Sequence, residues 1–75
     1  MKRQLRTIQR DLGANLKAMR AKAGLSQEAL ALSADVDRTY VSQIERGIGN
    51  PSIRVLATLS NCLGTDICDL LEPQH

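Results

Sequence analysis

The sequence predicts an all-α domain of five helices. Along most of the chain, apolar residues recur at steps of three and four, as on an amphipathic helix, and the period-two alternation of strands is absent. Glycines or short polar turns separate the helical segments. Hydrophobic residues make up 43% of the chain, yet Tyr40 is its one aromatic residue. We therefore expect a core of aliphatic side chains between packed helices.

The first helix is predicted from about residue 5 to Ala23, with Gly24 at its end. One helical stripe collects its apolar residues: Leu5, Ile8, Leu12, Leu16, Met19 and Ala23. Gly13 interrupts this stripe, although no turn signal surrounds it. Residues 1–10 form a basic N-terminal extension that is either helical or mobile, and residues 11–72 form the domain itself.

A second helix is predicted over residues 27–34, and a tight turn follows it at residues 34–36. Ser26 precedes this helix, and a serine hydroxyl in that position can accept a hydrogen bond from an unpaired amide of the first turn. The third helix follows at once, so the two form a helix-turn-helix.

The third helix has Asp37 as its predicted N-cap and runs through Arg46 to Gly47. On a helical wheel, one arc of about 140° is polar. It holds Arg38, Thr39, Ser42, Gln43 and Arg46. The opposite arc holds Tyr40, Val41 and Ile44, and Glu45 lies at the boundary. Arg, Ser, Thr and Gln are side chains that hydrogen-bond base edges in the DNA major groove.

The fourth helix is predicted from Ile53 to Leu63, with Ser52 as its cap. Its apolar stripe consists of Ile53, Leu56, Leu59 and Leu63. Gly64 ends it, and Thr65 is predicted to cap a short fifth helix over residues 66–71. Pro73 closes the fold because proline cannot continue a helix.

Charge is distributed unevenly, although the net charge is only +2. Residues 1–22 carry seven Lys and Arg against one Asp, whereas residues 61–75 carry three acids and no Lys or Arg. A molecule with this polarity can present one side to phosphates. Residues 2–10 could instead have no contact with phosphates and form only a solvated helix face or a disordered start.

Enzymes, metal proteins and membrane proteins are disfavoured by the composition. The one histidine is the terminal His75, so no His-assisted nucleophile is available in the body of the fold. Cys62 and Cys68 match no zinc spacing, and we expect Cys62 to be a small core residue. Neither a Gly-rich phosphate loop nor an apolar run long enough for a bilayer occurs. We expect a cytoplasmic protein with no enzymatic activity, cofactor, metal or small-molecule ligand.

The segments LSQEALA, VDRTYVSQIERG and NPS, with the leucine-rich helix after them, resemble the lambda-repressor-like (Cro/repressor, XRE) helix-turn-helix family. The resemblance covers about Leu12 to Leu71. DRTYVSQIERG also resembles the controller proteins of restriction-modification systems, which belong to that family. The resemblance implies a sequence-specific transcriptional regulator that binds double-stranded DNA as a homodimer on a pseudo-palindromic operator. An antitoxin-like module whose main contact is another protein is the alternative.

The resemblance also implies roles for individual residues. Those expected to read base edges are Arg38, Thr39, Ser42 and Gln43. Those expected to bind phosphates are Gln27, Tyr40, Arg46 and Asn50. In the family, an Arg of the first helix pairs with a Glu of the third beneath the DNA-binding surface, and Arg20 and Glu45 occupy those positions.

Two positions depart from the family pattern. The family commonly has Gly where this chain has Asp35, since the turn needs a left-handed backbone. We expect positive φ at Asp35, at a cost of up to about 1–2 kcal/mol relative to Gly. Leu32 stands where the family usually has a polar residue, and it is either a harmless surface residue or part of a protein contact.

The fifth helix is the expected dimer surface. Ile67, Leu70 and Leu71 lie at helical spacing in a segment too short to bury all three, and Leu63 extends the patch. Three acids form its expected rim: Asp66, Asp69 and Glu72. The alternative is that these apolar residues only cap the core of the monomer.

Overall fold

Five α-helices and the turns between them make up residues 2–74, the part of the chain that this computed structural model describes. The helices are α1 (Leu5–Lys22), α2 (Gln27–Ala34), α3 (Arg38–Glu45), α4 (Ile53–Cys62) and α5 (Ile67–Leu70). No strand occurs in this range. The predicted all-α, five-helix architecture is confirmed.

Polar side chains cap α2, α3 and α4 as predicted. The Ser26 hydroxyl accepts from the backbone N–H of Ala29 at 3.0 Å. The Asp37 carboxylate accepts from that of Thr39 at 3.1 Å. Ser52 caps α4 in the same manner. Each bond satisfies an amide that has no partner within its helix.

The cap of α5 is Asp66, so the prediction of Thr65 was wrong by one residue. The Asp66 side chain accepts from the backbone N–H of Cys68 at 2.8 Å, and Asp69 accepts from that of Asp66 at 3.2 Å. This reciprocal capping box satisfies two donors at once. The Thr65 hydroxyl instead donates to Asp69 at 2.6 Å.

The turn between α2 and α3 is left-handed at Asp35, as expected. Its φ is 56° and its ψ is 44°, and it has the one positive φ outside glycine among the described residues. The next amide, that of Val36, reaches back to the carbonyl of Ala31 at 3.0 Å. The turn therefore changes the direction of the chain within a few residues and brings α3 against α2.

The core is aliphatic and takes side chains from all five helices. Its buried members are Leu12, Leu16, Leu30, Ala31, Ala34, Val41, Ile44, Leu56, Leu59 and Leu70. α1 packs on α3 and α5, α2 packs on α3 and α4, and α4 packs on α5. Leu5 and Ile53 were predicted in the apolar stripes but are 60% and 77% exposed. Each is the first residue of its helix, beyond the part that another helix covers.

Leu70 is completely buried, with 0% of its surface exposed. The prediction that it belongs to a dimer surface is wrong, because a side chain with no exposed area cannot contact a second chain. For Leu70, the alternative of capping the monomer core holds. Leu63, Ile67 and Leu71 are half-buried and pack against the edge of the core, so part of each remains accessible.

The two ends of the chain meet beside α1. Arg3 donates to Asp11 at 2.8 Å and to the carbonyl of Leu71 at 2.9 Å. Asn15 donates to the carbonyls of Leu70 and Glu72 at 2.9 and 2.8 Å. These bonds satisfy carbonyls at the end of α5 that lack partners within the helix. Residues 5–10 continue α1, and the side chain of Arg3 is used inside the protein.

Gly13 allows α1 to approach the end of α3 closely. A Cβ on Gly13 would lie 2.5 Å from the carbonyl oxygen of Ile44 and 2.9 Å from that of Glu45. A Cβ on Gly49 would lie 3.0–3.1 Å from Ile44 atoms. Two glycines therefore lie in close contact with the last turn of α3. An isolated Gly within a helical stripe was the sequence signal for this contact.

We expect Gly13→Ala to destabilise the protein by about 1–3 kcal/mol, because the added methyl meets backbone atoms that cannot move aside freely. This loss would outweigh the gain of about 1 kcal/mol that Ala normally brings within a helix. Urea denaturation measures the change. Ala14→Gly is the control, since Ala14 is the exposed neighbour in α1. Its change in stability measures the difference in helix propensity between Ala and Gly without any packing contact. A Gly13→Ala variant more stable than the wild type would contradict the close approach.

Candidate nucleic-acid interface

One face of α3 is buried and the other is polar and exposed. Val41 and Ile44 are 0% and 1% exposed, and they anchor the helix to the core. Three predicted base-reading residues are exposed, namely Arg38, Thr39 and Gln43, and Ser42 is half-buried. α3 thus presents hydrogen-bonding side chains outward from a fixed helix, as the wheel predicted.

Arg20 and Glu45 form the expected ion pair between α1 and α3. The guanidinium binds the carboxylate through two bonds, Nε to Oε2 at 2.6 Å and Nη2 to Oε1 at 3.0 Å. Their side chains are 15% and 3% exposed. A bidentate bond restrains orientation as well as distance, so it restrains how α3 lies on α1.

Two more hydrogen bonds connect this pair to the start of α2. Arg20 also donates to the carbonyl of Leu25 at 2.8 Å, and the Gln27 amide donates to Glu45 at 3.0 Å. The Glu45 carboxylate therefore joins α1, α2 and α3. Sequence reasoning placed Gln27 on a phosphate but missed its bond to Glu45.

The hydrogen bonds also decide the charge of Glu45. Burial acts to raise the pKa of this carboxyl, but hydrogen bonds from Arg20 and Gln27 and the charges of Arg20 and Lys17 lower it below its usual value. The bond to Glu45 raises the pKa of Arg20. Both side chains are consequently ionised at neutral pH.

The four residues predicted to bind phosphates lie at different positions around α3 and differ in exposure. Arg46 is exposed at the C-cap of α3, and Asn50 is exposed in the loop that follows. Gln27 is half-buried beside Glu45, near the same end of α3. Tyr40 is half-buried in the first half of α3, where it packs against the core. Three of the four therefore lie around the C-terminal end of α3.

The two cysteines are free thiols in different surroundings. Cys62 is half-buried and packs against the core, as predicted. Cys68 is exposed, and the hydrogen bond and charge of Asp66 raise the pKa of its thiol, which lowers the thiolate fraction at neutral pH.

Within residues 2–74, no three His, Cys, Asp or Glu side chains group in a way that could hold a metal ion. None of the five described helices combines the length and apolarity needed to cross a membrane.

A family model described as helix-turn-helix matches residues 16–70, which is most of the chain. The chain belongs to this family. The control protein C.BamHI of Bacillus amyloliquefaciens is 44% identical over 52 residues, which are 69% of this chain and 64% of that protein. This confirms the resemblance inferred from LSQEALA and VDRTYVSQIERG.

Solved structures of regulators have the same fold. The restriction-modification controller protein C.AhdI from Aeromonas hydrophila superposes with a TM-score of 0.80 at 35% identity, covering 83% of this chain and 94% of that one. SinR, a transcriptional regulator of Bacillus subtilis, has been solved in complex with DNA. It superposes with a TM-score of 0.78 at 37% identity, covering 81% of this chain and 98% of that one.

We expect acid to destabilise the protein through Glu45. Because the folded state lowers its pKa, the stability it contributes is present above the ordinary Glu value of about 4.3 and is lost as pH falls through the lower, folded-state value. The denaturant midpoint of the wild type should fall between about pH 5 and pH 3. The fall should be smaller for Glu45→Gln, which has no charge to lose.

Glu28→Gln is the matched control for this experiment, because it removes an exposed carboxylate of α2. Its pH dependence should follow that of the wild type. Parallel curves for the wild type and Glu45→Gln would show that the ion pair does not contribute in this way.

Proposed function

We propose that this protein is a sequence-specific transcriptional regulator that places α3 in the major groove of double-stranded DNA. The observation that carries the proposal is the exposed polar face of α3, held in place by the Arg20–Glu45 pair and by buried Val41 and Ile44. A helix with this chemistry fits the groove and can hydrogen-bond base edges there. The DNA complex of SinR, which has the same fold, supports it.

Base reading is assigned to α3. Arg38 lies in its first turn, where such helices meet the bases, and its guanidinium can donate two bonds to one guanine. Thr39, Ser42 and Gln43 contact neighbouring bases. The structure leaves Arg38 exposed in the free protein, so it is available for this contact.

Phosphate binding is assigned to residues around α3. Arg46 and Asn50 contact the DNA backbone beyond its C-terminal end, and the Tyr40 hydroxyl donates to a phosphate. Gln27 uses one hydrogen of its amide nitrogen on Glu45, and a second hydrogen remains for a phosphate. The same Gln27 thus couples the backbone contact to the position of α3.

A homodimer on a pseudo-palindromic operator completes the proposal. One α3 reads only a few base pairs, whereas a two-fold dimer places two of them about 34 Å apart, one DNA turn. With Leu70 in the core, the dimer surface comprises Leu63, Ile67 and Leu71. Three exposed acids surround it: Asp66, Asp69 and Glu72.

A second function remains for a specific reason: Leu32 is 83% exposed on α2. A protein-interaction module of antitoxin type would use such a residue to bind another protein. Selection of bound sequences from random DNA separates the two, because the interaction module would select none. Within the regulatory function, neighbouring genes for a restriction endonuclease and methyltransferase would identify a cytoplasmic controller protein instead of a repressor.

We expect Arg38→Ala to weaken binding to the selected operator by about 1–3 kcal/mol and to relax the preference at one base position. Gel shifts with the operator and its single-base variants measure both effects. Arg54→Ala is the control for the loss of an exposed arginine, because the proposal assigns Arg54 of α4 no base contact. If the variant loses affinity equally on all sequences, Arg38 is a phosphate contact. If the wild type selects no sequence, the proposed function is wrong.

We expect Ile67→Glu to yield a folded monomer with weaker operator binding, since it introduces a charge into the proposed dimer surface. Sedimentation at micromolar concentration measures the association state. Ile53→Glu is the matched control for the association state alone, because Ile53 is 77% exposed at the end of α4 far from Leu63. A wild-type protein that stays monomeric both free and on its operator would exclude the dimer.

A further inference from the structure

The N-terminal half of α1 adjoins the loop that follows α3. The Cα of Arg10 is 3.6 Å from the position that a Cβ on Gly47 would take. One residue earlier, the Gln9 amide donates to the carbonyl of Gly49 at 2.8 Å. Gln9 and Arg10 of α1 therefore lie beside the loop that carries Asn50.

Three cations of α1 share the face that meets α3. Arg6, Arg10 and Lys17 fall within about 40° of one another on the helix, and all three are exposed. The same face carries Gly13, which touches the α3 backbone, and Arg20, which pairs with Glu45. We call Arg6, Arg10 and Lys17 the α1 basic stripe.

The acids nearest to the stripe are already neutralised. Within residues 2–74, the two ion pairs closer than 4.0 Å are Arg3–Asp11 and Arg20–Glu45. Asp11 and Glu45 are thus each bound by an arginine outside the stripe. Arg6, Arg10 and Lys17 therefore take part in no ion pair within residues 2–74, and they can bind an external anion.

We propose that the α1 basic stripe is a second DNA-backbone contact, which binds phosphates flanking the base pairs that α3 reads. The proposal rests on the proposed function, because α3 and its loop bring the stripe to the duplex. The stripe is about 16 Å long, a length over which one DNA strand carries about five phosphates. Asp69 and Glu72 lie instead beside Asn15 and Met19, on a different side of α1, so the charge of the stripe suits a polyanion.

A different role for these cations is to compensate the partial negative charge at the C-terminal end of α3. That role predicts a loss of stability when they are removed, with no separate effect on DNA. Counterion release distinguishes the two, because each phosphate contact adds about −0.9 to the slope of log affinity against log salt.

The experiment compares the wild type with Arg6→Gln/Arg10→Gln. Lys17 is left in place, since its charge acts on Glu45. Affinity is measured from about 0.05 to 0.3 M salt on a duplex selected from random DNA and on an unrelated duplex. The variant should lose roughly 10- to 60-fold at about 0.1 M salt on both duplexes, and its slope should be smaller in magnitude by about 2. The melting temperature should change little, because Arg10 acts on Asp11 only through its charge and Arg3 remains bound to that carboxylate.

Two further variants serve as controls. Lys22→Gln removes an exposed cation that lies about 120–160° around α1 from the three stripe residues, and its affinity and slope should match the wild type. Arg6→Lys/Arg10→Lys keeps the charge and should keep the slope. If the wild type selects a sequence but the Gln variant keeps its affinity and slope, the second contact is wrong and the proposed function stands. A lower melting temperature with an unchanged slope also overturns it, in favour of the dipole role. A wild type that selects no sequence overturns both proposals.

Discussion

The carboxylate of Glu45 is the point on which the arrangement of the first three helices depends. It accepts hydrogen bonds from Arg20 of α1 and Gln27 of α2 while belonging to α3. Because the carboxylate is almost fully buried, removing a partner would leave a charge without compensation. The bidentate geometry restrains the orientation of α3, and the proposed base reading requires this because hydrogen bonds to base edges tolerate little displacement of side chains.

Close backbone packing supports this polar contact. Gly13 and Gly49 both lie against the last turn of α3, where a side chain on either would meet Ile44. The buried side chains of Val41 and Ile44 restrain the same helix from within the core. These contacts restrain α3 in the free protein, so the proposed DNA binding would need little ordering of the backbone and lose little affinity to entropy.

A second polar network ties the ends of the chain to α1. Arg3, Asp11 and Asn15 bind one another or the carbonyls that end α5. The bond from Arg3 lowers the pKa of Asp11 against the opposing effect of burial, so the buried acid stays ionised. Leu70 of α5 is also buried in the core. Through this side chain and the polar network, α5 is attached to the rest of the domain although it has only four residues. Because α5 is attached in this way, the half-buried side chains of Leu63, Ile67 and Leu71 form a surface with a defined shape.

The sequence by itself determined the number of helices, their limits to within about two residues, three of the caps and the left-handed turn at Asp35. Periodicity and capping act within one or two turns, so they can be read locally. The polar face of α3 was predictable for the same reason. Tertiary structure alone decided that Gly13 is a contact point, that Leu70 is buried and that Arg3 binds Asp11 and Leu71. Burial depends on which distant segments pack together, and Arg3 and Leu71 are 68 residues apart in the chain.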